Sequence, residues 1–301
     1  MKEQGKLLIV IEGPTASGKT ALGVELAIKW NTVVVSADSR QFYKELAIGT
    51  AKPSVEEQKG VKHYFVDSHL LQDEITSATY AKDTILILEQ EFKTHNTIIM
   101  VGGSGMFIDA VCIGLDEIPK SNEVRDKLNL EYSINGLDAL LSELERLDPV
   151  FYQEVDKGNP MRVIRALEAI RISDEPFSKL RTKSKKELFF EVKRFVINHP
   201  REILYDRINR RVDLMIENGL LEEAKAVVHL KHLPPLKTVG YTELFNYLEG
   251  IYSLKEAIEL IKQNTRRYAK RQLTWFRKHP DSVWIDFTDT PQMAEEIEKR
   301  L

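Results

Sequence analysis

The sequence predicts an α/β fold with a parallel sheet, interrupted by a smaller helical insertion. Short apolar runs alternate with segments of helical periodicity in the first part of the chain and again in the last, which is typical of parallel sheets covered by helices. Between about residues 115 and 194, charged helical segments rich in Glu, Lys and Leu replace this alternation. We therefore expect a core formed by residues 1–114 and 195–301 and an insertion domain formed by residues 115–194.

The first apolar run, residues 7–11, is followed by the glycine-rich sequence GPTASGKT and then by a segment with helical periodicity. The order strand, glycine-rich turn, helix is that of a phosphate-binding loop, so the core is predicted to be P-loop NTPase-like. Glycines allow the backbone to turn tightly and to present its N–H groups to anionic oxygens. Lys19 can reach the terminal phosphate, and the Thr20 hydroxyl can bind Mg²⁺. The predicted phosphate site consists of Gly13, Thr15, Ala16, Ser17, Gly18, Lys19 and Thr20.

The second predicted strand, residues 32–36, ends just before Asp38. Ligands of open α/β sheets bind at that edge, so Asp38 can serve a site, although an Asp in this position can equally cap a helix. The following segment carries Arg40 and Gln41 without strong periodicity, as expected of a loop or short helix bordering a site. His63 lies in a later strand-like stretch, where a core or edge histidine is the simpler interpretation.

A helix over residues 77–94 leads to the third predicted strand, residues 97–101, which is followed by the sequence GGS. P-loop nucleotide hydrolases usually place a magnesium-binding Asp after such a strand. Here two glycines allow a ligand to approach the backbone closely, and Ser104 offers a hydroxyl rather than a charge. The site is therefore unusual for ATP hydrolysis.

Two basic helices follow the predicted insertion. Strand character returns over residues 189–197, and the next helix carries Arg207 and Arg211 on one face, where they can clamp a diphosphate or form a solvated arginine face. The last long helix is predicted over residues 254–278. Most of it falls in the stretch 260–280, which has seven Lys or Arg and no acidic residue. Such a helix is typical of contacts with phosphate backbones, and a solvated basic face has the same pattern.

Composition argues against several classes of protein. The formal net charge is −3, so nucleic-acid binding would depend on local basic faces. Cys112 is the single cysteine, which argues against disulfides. No secretion signal pattern and no apolar stretch approaching a membrane span occur in the sequence. We therefore expect a cytoplasmic protein with no membrane partner.

Together these motifs resemble one family, the tRNA dimethylallyltransferases, also called tRNA isopentenyltransferases. The resemblance extends in the family's order over nearly the whole chain. Many family members have Thr where this chain has Ser104, so the hydroxyl is kept. The matching stretches are GPTASGKT, VVSADSRQFYKELAIGTAKP, VGGSGMF, IPKSNEVR, NPMRVIRALE, LYDRINRRVDLM, VGYTEL and TRRYAKRQLTWFRK.

The resemblance implies transfer of a dimethylallyl group from dimethylallyl diphosphate to the exocyclic N6 amine of the adenosine 3′ of the anticodon in tRNA. Pyrophosphate would leave from the predicted phosphate site, where Mg²⁺ and Arg211 would also bind it. The amine must lose a proton, for which Asp38 is the candidate acceptor, and Ser104 would orient the bridging oxygen. The predicted catalytic residues are Asp38, Ser104, Lys19 and Arg207.

The resemblance also implies a tRNA site, with the insertion domain closing over the anticodon stem-loop. We expect the protein to be a monomer, although the sequence does not determine the oligomeric state. A stacked base is not reachable, so the target adenosine would be extruded into a pocket. The residues implied for tRNA binding are Asp38, Ser39, Arg40, Gln41, Ser104, Arg125, Met161, Arg162, Arg165, Lys270, Arg271 and Gln272.

Two other functions share part of this pattern. A P-loop small-molecule kinase has the same strand, loop and early carboxylate, and it would consume ATP. A non-catalytic tRNA-binding protein with a vestigial loop would bind tRNA without turnover. The presence of Lys19, Thr20 and Asp38 together favours an enzyme.

Overall fold

The computed structural model describes residues 5–116, 118–181 and 187–301. Two compact units are present, one containing residues 5–112 and 187–301 and the other containing the described residues between 113 and 181. The predicted boundaries, 114/115 and 194/195, differ from this division. The second differs more, because a strand that begins at Glu191 pairs within the first unit.

The first unit is built on a six-stranded sheet in which every pairing is parallel, and the predicted α/β fold is confirmed. The strands are β1 (Leu7–Glu12), β2 (Val34–Ser36), β3 (His63–Tyr64), β4 (Thr97–Gly102), β5 (Glu191–Asn198) and β6 (Val283–Asp286). Their order across the sheet is β3-β2-β4-β1-β5-β6. The carboxyl ends of β2, β4 and β1 therefore lie side by side at one edge.

Helices cover the sheet of the first unit, and other helices form the second unit. In chain order they are α1 (Lys19–Lys29), α2 (Val55–Gln58), α3 (Ser77–Glu91), α4 (Gly105–Cys112), α5 (Asn122–Leu147), α6 (Pro149–Glu154), α7 (Pro160–Ser173), α8 (Phe177–Leu180), α9 (Arg201–Glu217), α10 (Leu220–Val227), α11 (Tyr241–Leu248), α12 (Leu254–Phe276) and α13 (Thr290–Glu298). None of the described helices has the length and apolar character needed to cross a membrane.

The sheet of the first unit is buried on both faces. Leu8 and Val10 of β1 belong to a core that includes residues of α3 and α9–α12, whereas Ile9 and Ile11 belong to a core that includes residues of α1 and α13. Alternate side chains of a strand point to opposite faces, so a strand covered on both sides must be apolar at every position. This burial explains why β1 and β4 are continuous apolar runs.

The second unit contains α5–α8. Helix α5 is interrupted at Gly136, whose φ of 75° is left-handed, so it consists of two helical segments. The core of the unit includes Leu128, Leu144, Val163 and Leu167, all fully buried. The predicted helical character of this part of the chain is thus observed in its described residues.

Candidate functional site

The glycine-rich loop connects β1 to α1 in the predicted order. Gly18, with φ of 90°, immediately precedes the first residue of α1. Gly13 packs directly on the loop, because a Cβ there would lie 2.4 Å from Ser17 Oγ. Both positions therefore require glycine, one for its φ and one for close packing. The result is a tight turn at a helix N-terminus, which is the geometry that binds phosphate groups.

Lys19 lies buried at the start of α1, with only 8% of its surface exposed. Its Nζ donates to the carbonyl oxygen of Pro14 at 3.3 Å. Burial lowers the pKa of Lys19 to about 8, the Asp38 carboxylate opposes this shift, and Arg211 adds to it. An ammonium group that is shielded from water and lies near a second cation is stabilised when an anion binds beside it. The position of Lys19 therefore favours anion binding.

Two arginines of α9 turn toward this loop. Arg207 Nε donates to the carbonyl oxygen of Ala16 at 2.8 Å. Arg211 Nη2 donates to the carbonyl oxygen of Ala51 at 3.5 Å, and burial lowers the Arg211 pKa. Arg210, in contrast, is exposed and pairs with Asp206. The solvated face of α9 is therefore at Arg210, and the interpretation of the other two arginines as solvated is wrong.

Asp38 follows β2 at the same edge of the sheet. Its Oδ1 accepts the backbone N–H of Arg40 at 3.2 Å, within a turn. Among the residues described between 38 and 54 no helix begins, and α2 is capped by Ser54, so the helix-cap alternative for Asp38 is wrong. Asp38 therefore lies at the ligand edge of the sheet without capping a helix.

Asp38 borders two cavities. The small one has a volume of about 10 Å³ and is also lined by Lys19, Thr20 and His63. His63 lies on the edge strand β3, as the simpler interpretation predicted, and its Nδ1 lies 2.8 Å from the carbonyl oxygen of Val61. This cavity has room for about one water molecule.

The second cavity is much larger, about 150 Å³. Its lining includes the polar residues Thr15, Asp38, Ser39, Arg40 and Arg211. The lining also includes the apolar residues Ile208, Val212, Met215, Leu220, Val239 and Ile261. An apolar cavity of roughly this volume can hold a molecule the size of benzene. The space therefore suits a small hydrocarbon group attached to an anion.

Ser104 lies at the turn after β4, against the segment that carries Asp38. Its Oγ accepts the backbone N–H of Ser39 at 3.0 Å and donates to Ser39 Oγ at 3.2 Å. Close approach of the two segments depends on Gly102, where a Cβ would lie 2.2 Å from the carbonyl oxygen of Ala37. The structure thus places the Ser104 hydroxyl beside the Asp38 turn.

Gln41 and Gln272, both predicted to contact tRNA, are buried inside the first unit. Gln41 Nε2 donates to the carbonyl oxygen of Ala51 at 3.2 Å. Gln272 Oε1 accepts the N–H of Thr15 at 3.0 Å, and its Nε2 donates to the carbonyl oxygen of Gly103 at 2.9 Å. Gln272 therefore connects the phosphate-binding loop to the turn after β4, and its contact with tRNA stays a prediction.

Gln272→Ala is expected to weaken pyrophosphate binding roughly tenfold, because it breaks both connections and leaves the Thr15 N–H without its partner. Calorimetric titration with pyrophosphate measures the change. Gln263→Ala, at an exposed position of the same helix, is the matched control. An unchanged pyrophosphate affinity accompanied by weaker tRNA binding would contradict this structural role and support a contact with tRNA.

The basic face of α12 is exposed at Lys270 and Arg271. The Arg271 guanidinium lies 5.7 Å from the centre of the Tyr268 ring. Exposure leaves these cations available to phosphate groups, as predicted for the tRNA backbone.

In the second unit, Met161 and Arg162 are exposed in the first turn of α7. Arg125 and Arg165 instead bind Glu168, which is fully buried, at 2.7 and 2.9 Å. Burial would raise the Glu168 pKa, but the hydrogen bonds from these arginines and from the Ser121 N–H hold it below its usual value. Removing either arginine would disturb a buried carboxylate, so each has a structural role besides the predicted contact with tRNA.

Sequence reasoning missed two residues at the loop. His199, directly after β5, has its Nε2 2.9 Å from the carbonyl oxygen of Ser17 and its ring stacked on Phe287 at 4.3 Å. The Phe287 ring also lies 4.8 Å from the Arg207 guanidinium. The position of His199 after a strand was a usable signal, whereas Phe287 follows β6, which was not predicted.

A buried ion-pair network fixes the end of β1. Arg194 donates to both carboxylate oxygens of Glu12, at 3.0 and 2.5 Å, and to Asp109 Oδ1 at 2.9 Å. Burial raises the Glu12 pKa, and Arg194 opposes that shift. Trp275 Nε1 donates to Asp109 at 2.7 Å. Because Glu12 directly precedes Gly13, this network lies at the start of the phosphate-binding loop.

Comparison with known proteins gives a consistent result. A family model described as IPP transferase matches residues 41–279. The chain is 43% identical over 297 residues to a tRNA dimethylallyltransferase of Cytophaga hutchinsonii, covering 98% of each protein. It resembles the crystal structure of a tRNA isopentenylpyrophosphate transferase from Bacillus halodurans with a TM-score of 0.72, 34% identity and coverage of 99% of this chain and 95% of that one. A eukaryotic dimethylallyltransferase acting on tRNA gives a TM-score of 0.82 at 25% identity, covering 98% of this chain and 77% of that one.

Proposed function

The chain belongs to the IPP transferase family, and on that premise we propose that its site transfers a dimethylallyl group from dimethylallyl diphosphate to an adenine amine of tRNA. The class of reaction is that of its relatives, prenyl transfer to tRNA. One observation carries the assignment of the site. Asp38 borders both the cavity beside Lys19 and the larger cavity with many apolar lining residues, so a carboxylate lies next to the space proposed for the anion and to the space proposed for the hydrocarbon chain.

The diphosphate of the donor would occupy the loop, with the five-carbon chain in the large cavity. Negative charge on the leaving pyrophosphate grows as the carbon–oxygen bond breaks. Lys19, Arg207 and Arg211 lie around the loop, so they stabilise that charge more in the transition state than in the substrate. The Arg207 Nε donates a hydrogen bond to the Ala16 carbonyl oxygen. The other N–H groups of the guanidinium can donate to phosphate oxygens.

The nucleophile is the exocyclic amine of an adenine. Its lone pair is delocalised into the ring, so it must be placed accurately and must lose a proton as the new carbon–nitrogen bond forms. Asp38 accepts that proton, and the Ser104 hydroxyl, beside the Asp38 turn, orients the bridging oxygen of the donor. Pyrophosphate and the prenylated base are the products.

The donor set at the small cavity fits a magnesium ion. The Thr20 hydroxyl and the Asp38 carboxylate both border that cavity, and oxygen ligands suit Mg²⁺. Among the described residues no group of three or more His, Cys, Asp or Glu could hold a metal. We propose that the Thr20 hydroxyl would hold the ion, which would supply positive charge to neutralise the diphosphate.

Transfer to tRNA requires that the adenine leave its stack, and the exposed cations Lys270 and Arg271 are suited to the RNA backbone. We propose the adenosine 3′ of the anticodon as the target, from the motifs that the chain shares with the family. A monomer in the cytoplasm is consistent with this substrate.

Replacing Lys270 and Arg271 together by Ala is expected to weaken tRNA binding and to make its salt dependence shallower, by about one unit of slope for each lost phosphate contact. Binding is measured at several salt concentrations. A double variant at Lys225 and Lys255, both exposed, removes the same charge elsewhere and should leave the slope unchanged. An unaltered slope in the Lys270 and Arg271 variant would mean that these side chains serve packing.

The proposed function is tested by incubating the protein with tRNA and labelled dimethylallyl diphosphate, with ATP in a parallel reaction. We expect label in an anticodon fragment, identified by mass spectrometry, and no hydrolysis of ATP. ATP turnover at the rate of an ordinary kinase without prenyl transfer would support the kinase alternative. Binding of tRNA without prenyl transfer would support the alternative of a non-catalytic tRNA-binding protein with a vestigial loop.

A further inference from the structure

Residues 47–51 form a loop whose latter part lines the large cavity, and one carboxylate holds it from outside the cavity. Glu223, on α10, accepts three consecutive backbone N–H groups: those of Ala47 and Ile48 on Oε2, both at 2.8 Å, and that of Gly49 on Oε1 at 2.9 Å. The Tyr241 hydroxyl donates to the same Oε1 at 2.5 Å. A carboxylate can accept about four hydrogen bonds. Glu223 accepts four, three from this loop and one from Tyr241.

The loop adopts a conformation that depends on its surroundings. Ala51 has a φ of 47°, a left-handed value that is uncommon for a residue other than glycine. A Cβ at Gly49 would lie 2.6 Å from the Tyr241 hydroxyl oxygen, so the phenol packs directly on the loop backbone. Such conformations persist where neighbouring contacts over-determine them.

The inner side of the loop faces the proposed donor site. Gly49, Thr50 and Ala51 line the large cavity together with Arg211 and Asp38. The Ala51 carbonyl oxygen accepts hydrogen bonds from Arg211 and from Gln41. A displacement of the loop would therefore change both the cavity wall and the orientation of the Arg211 guanidinium.

We propose that Glu223 and Tyr241 are positioning residues for the prenyl diphosphate donor. Their contacts hold the loop so that Arg211 and the cavity wall are preorganised before the donor binds, which lowers the entropic cost of binding. Glu223 does not line the cavity, so it acts through the loop. Tyr241 does line the cavity, and its hydroxyl also holds the Glu223 carboxylate. That the donor is a prenyl diphosphate rests on the proposed function. The effect of Glu223 and Tyr241 on diphosphate binding does not depend on whether the protein transfers a prenyl group.

Glu223→Ala is expected to raise the Kd for pyrophosphate and the KM for dimethylallyl diphosphate about tenfold, with tRNA affinity unchanged. Glu222→Ala, at an exposed neighbour that pairs with Lys225 at 3.5 Å, is the matched control. Glu223→Gln keeps one carbonyl acceptor but points an amide donor at backbone N–H groups, so its Kd should lie between those of the parent and the Ala variant. Tyr241→Phe removes a single hydroxyl and should raise the pyrophosphate Kd about threefold.

A folded Glu223→Ala variant with the parental pyrophosphate Kd would overturn the proposal. So would a loss of pyrophosphate and tRNA affinity in parallel with a large drop in Tm, since that pattern is general destabilisation. If Glu223→Ala does not fold, Glu223→Gln decides by the same titration: weaker binding supports the proposal and unchanged binding overturns it. Failure of the proposed function is distinguishable, because the parent protein would then bind pyrophosphate without prenylating tRNA.

Discussion

Asp38→Asn is expected to lower the single-turnover rate of prenyl transfer by about 10² to 10⁴-fold, the usual contribution of a general base. Asn has nearly the same size, and its Oδ1 can still accept the Arg40 N–H that Asp38 accepts at 3.2 Å. It cannot take up a proton, so the loss should appear in the chemical step. Because Asn keeps the size and the hydrogen-bond acceptor of Asp38, the affinities for tRNA and for pyrophosphate should stay close to those of the parent.

The measurement is a single-turnover reaction with saturating enzyme and labelled donor, together with separate titrations of tRNA and pyrophosphate. Asp83→Asn, at an exposed position of α3, is the matched control. A variant at position 38 that keeps its rate within a few-fold of the parent would show that Asp38 positions the turn and that another group accepts the proton.

Lys19→Met is expected to lower kcat/KM for the donor by about 10² to 10³-fold, the usual effect of removing one preorganised group that stabilises transition-state charge. Met retains much of the apolar stem that packs in this buried position. The variant therefore removes the charge with little disturbance of the loop. The change is measured by steady-state kinetics over a range of donor concentrations.

The control for this variant is Lys29→Met at the other end of α1, where the side chain is 45% exposed and pairs with Glu298. It should change neither kcat nor KM. If Lys19→Met raised KM and left kcat unaltered, Lys19 would bind the ground state and the transition state equally, contrary to its assigned role.

The parts of the site that could be predicted from the sequence are those with a local cause. A glycine-rich turn between an apolar run and a helix has few alternative geometries, so the loop at Gly13 and Gly18 was identifiable. Asp38 and Ser104 were placed at one edge because both follow strands of a parallel sheet. The prediction for each of these two residues depends only on the strand before it and on the rule that ligands bind at the carboxyl ends of parallel strands.

The remaining parts depend on packing between distant segments. Spacing indicated that Arg207 and Arg211 share a helix face but could not show that this face turns toward the loop. The stretch that contains Gln272 indicated RNA contact, whereas its amide bridges Thr15 and Gly103. The sequence around Glu223 did not indicate a functional role, because its carboxylate binds a loop that lies far earlier in the chain. Strand β6 has only four residues, too few for a clear periodicity.

The proposed reaction breaks a carbon–oxygen bond of a prenyl diphosphate and forms a carbon–nitrogen bond on tRNA. The most direct measurement follows pyrophosphate release and prenylated tRNA in the same reaction, with each substrate omitted in turn. We predict one pyrophosphate for each prenyl group transferred, and neither product when tRNA or donor is absent. Pyrophosphate release that continues without tRNA, or release of phosphate from ATP in place of prenyl transfer, would contradict the proposed reaction.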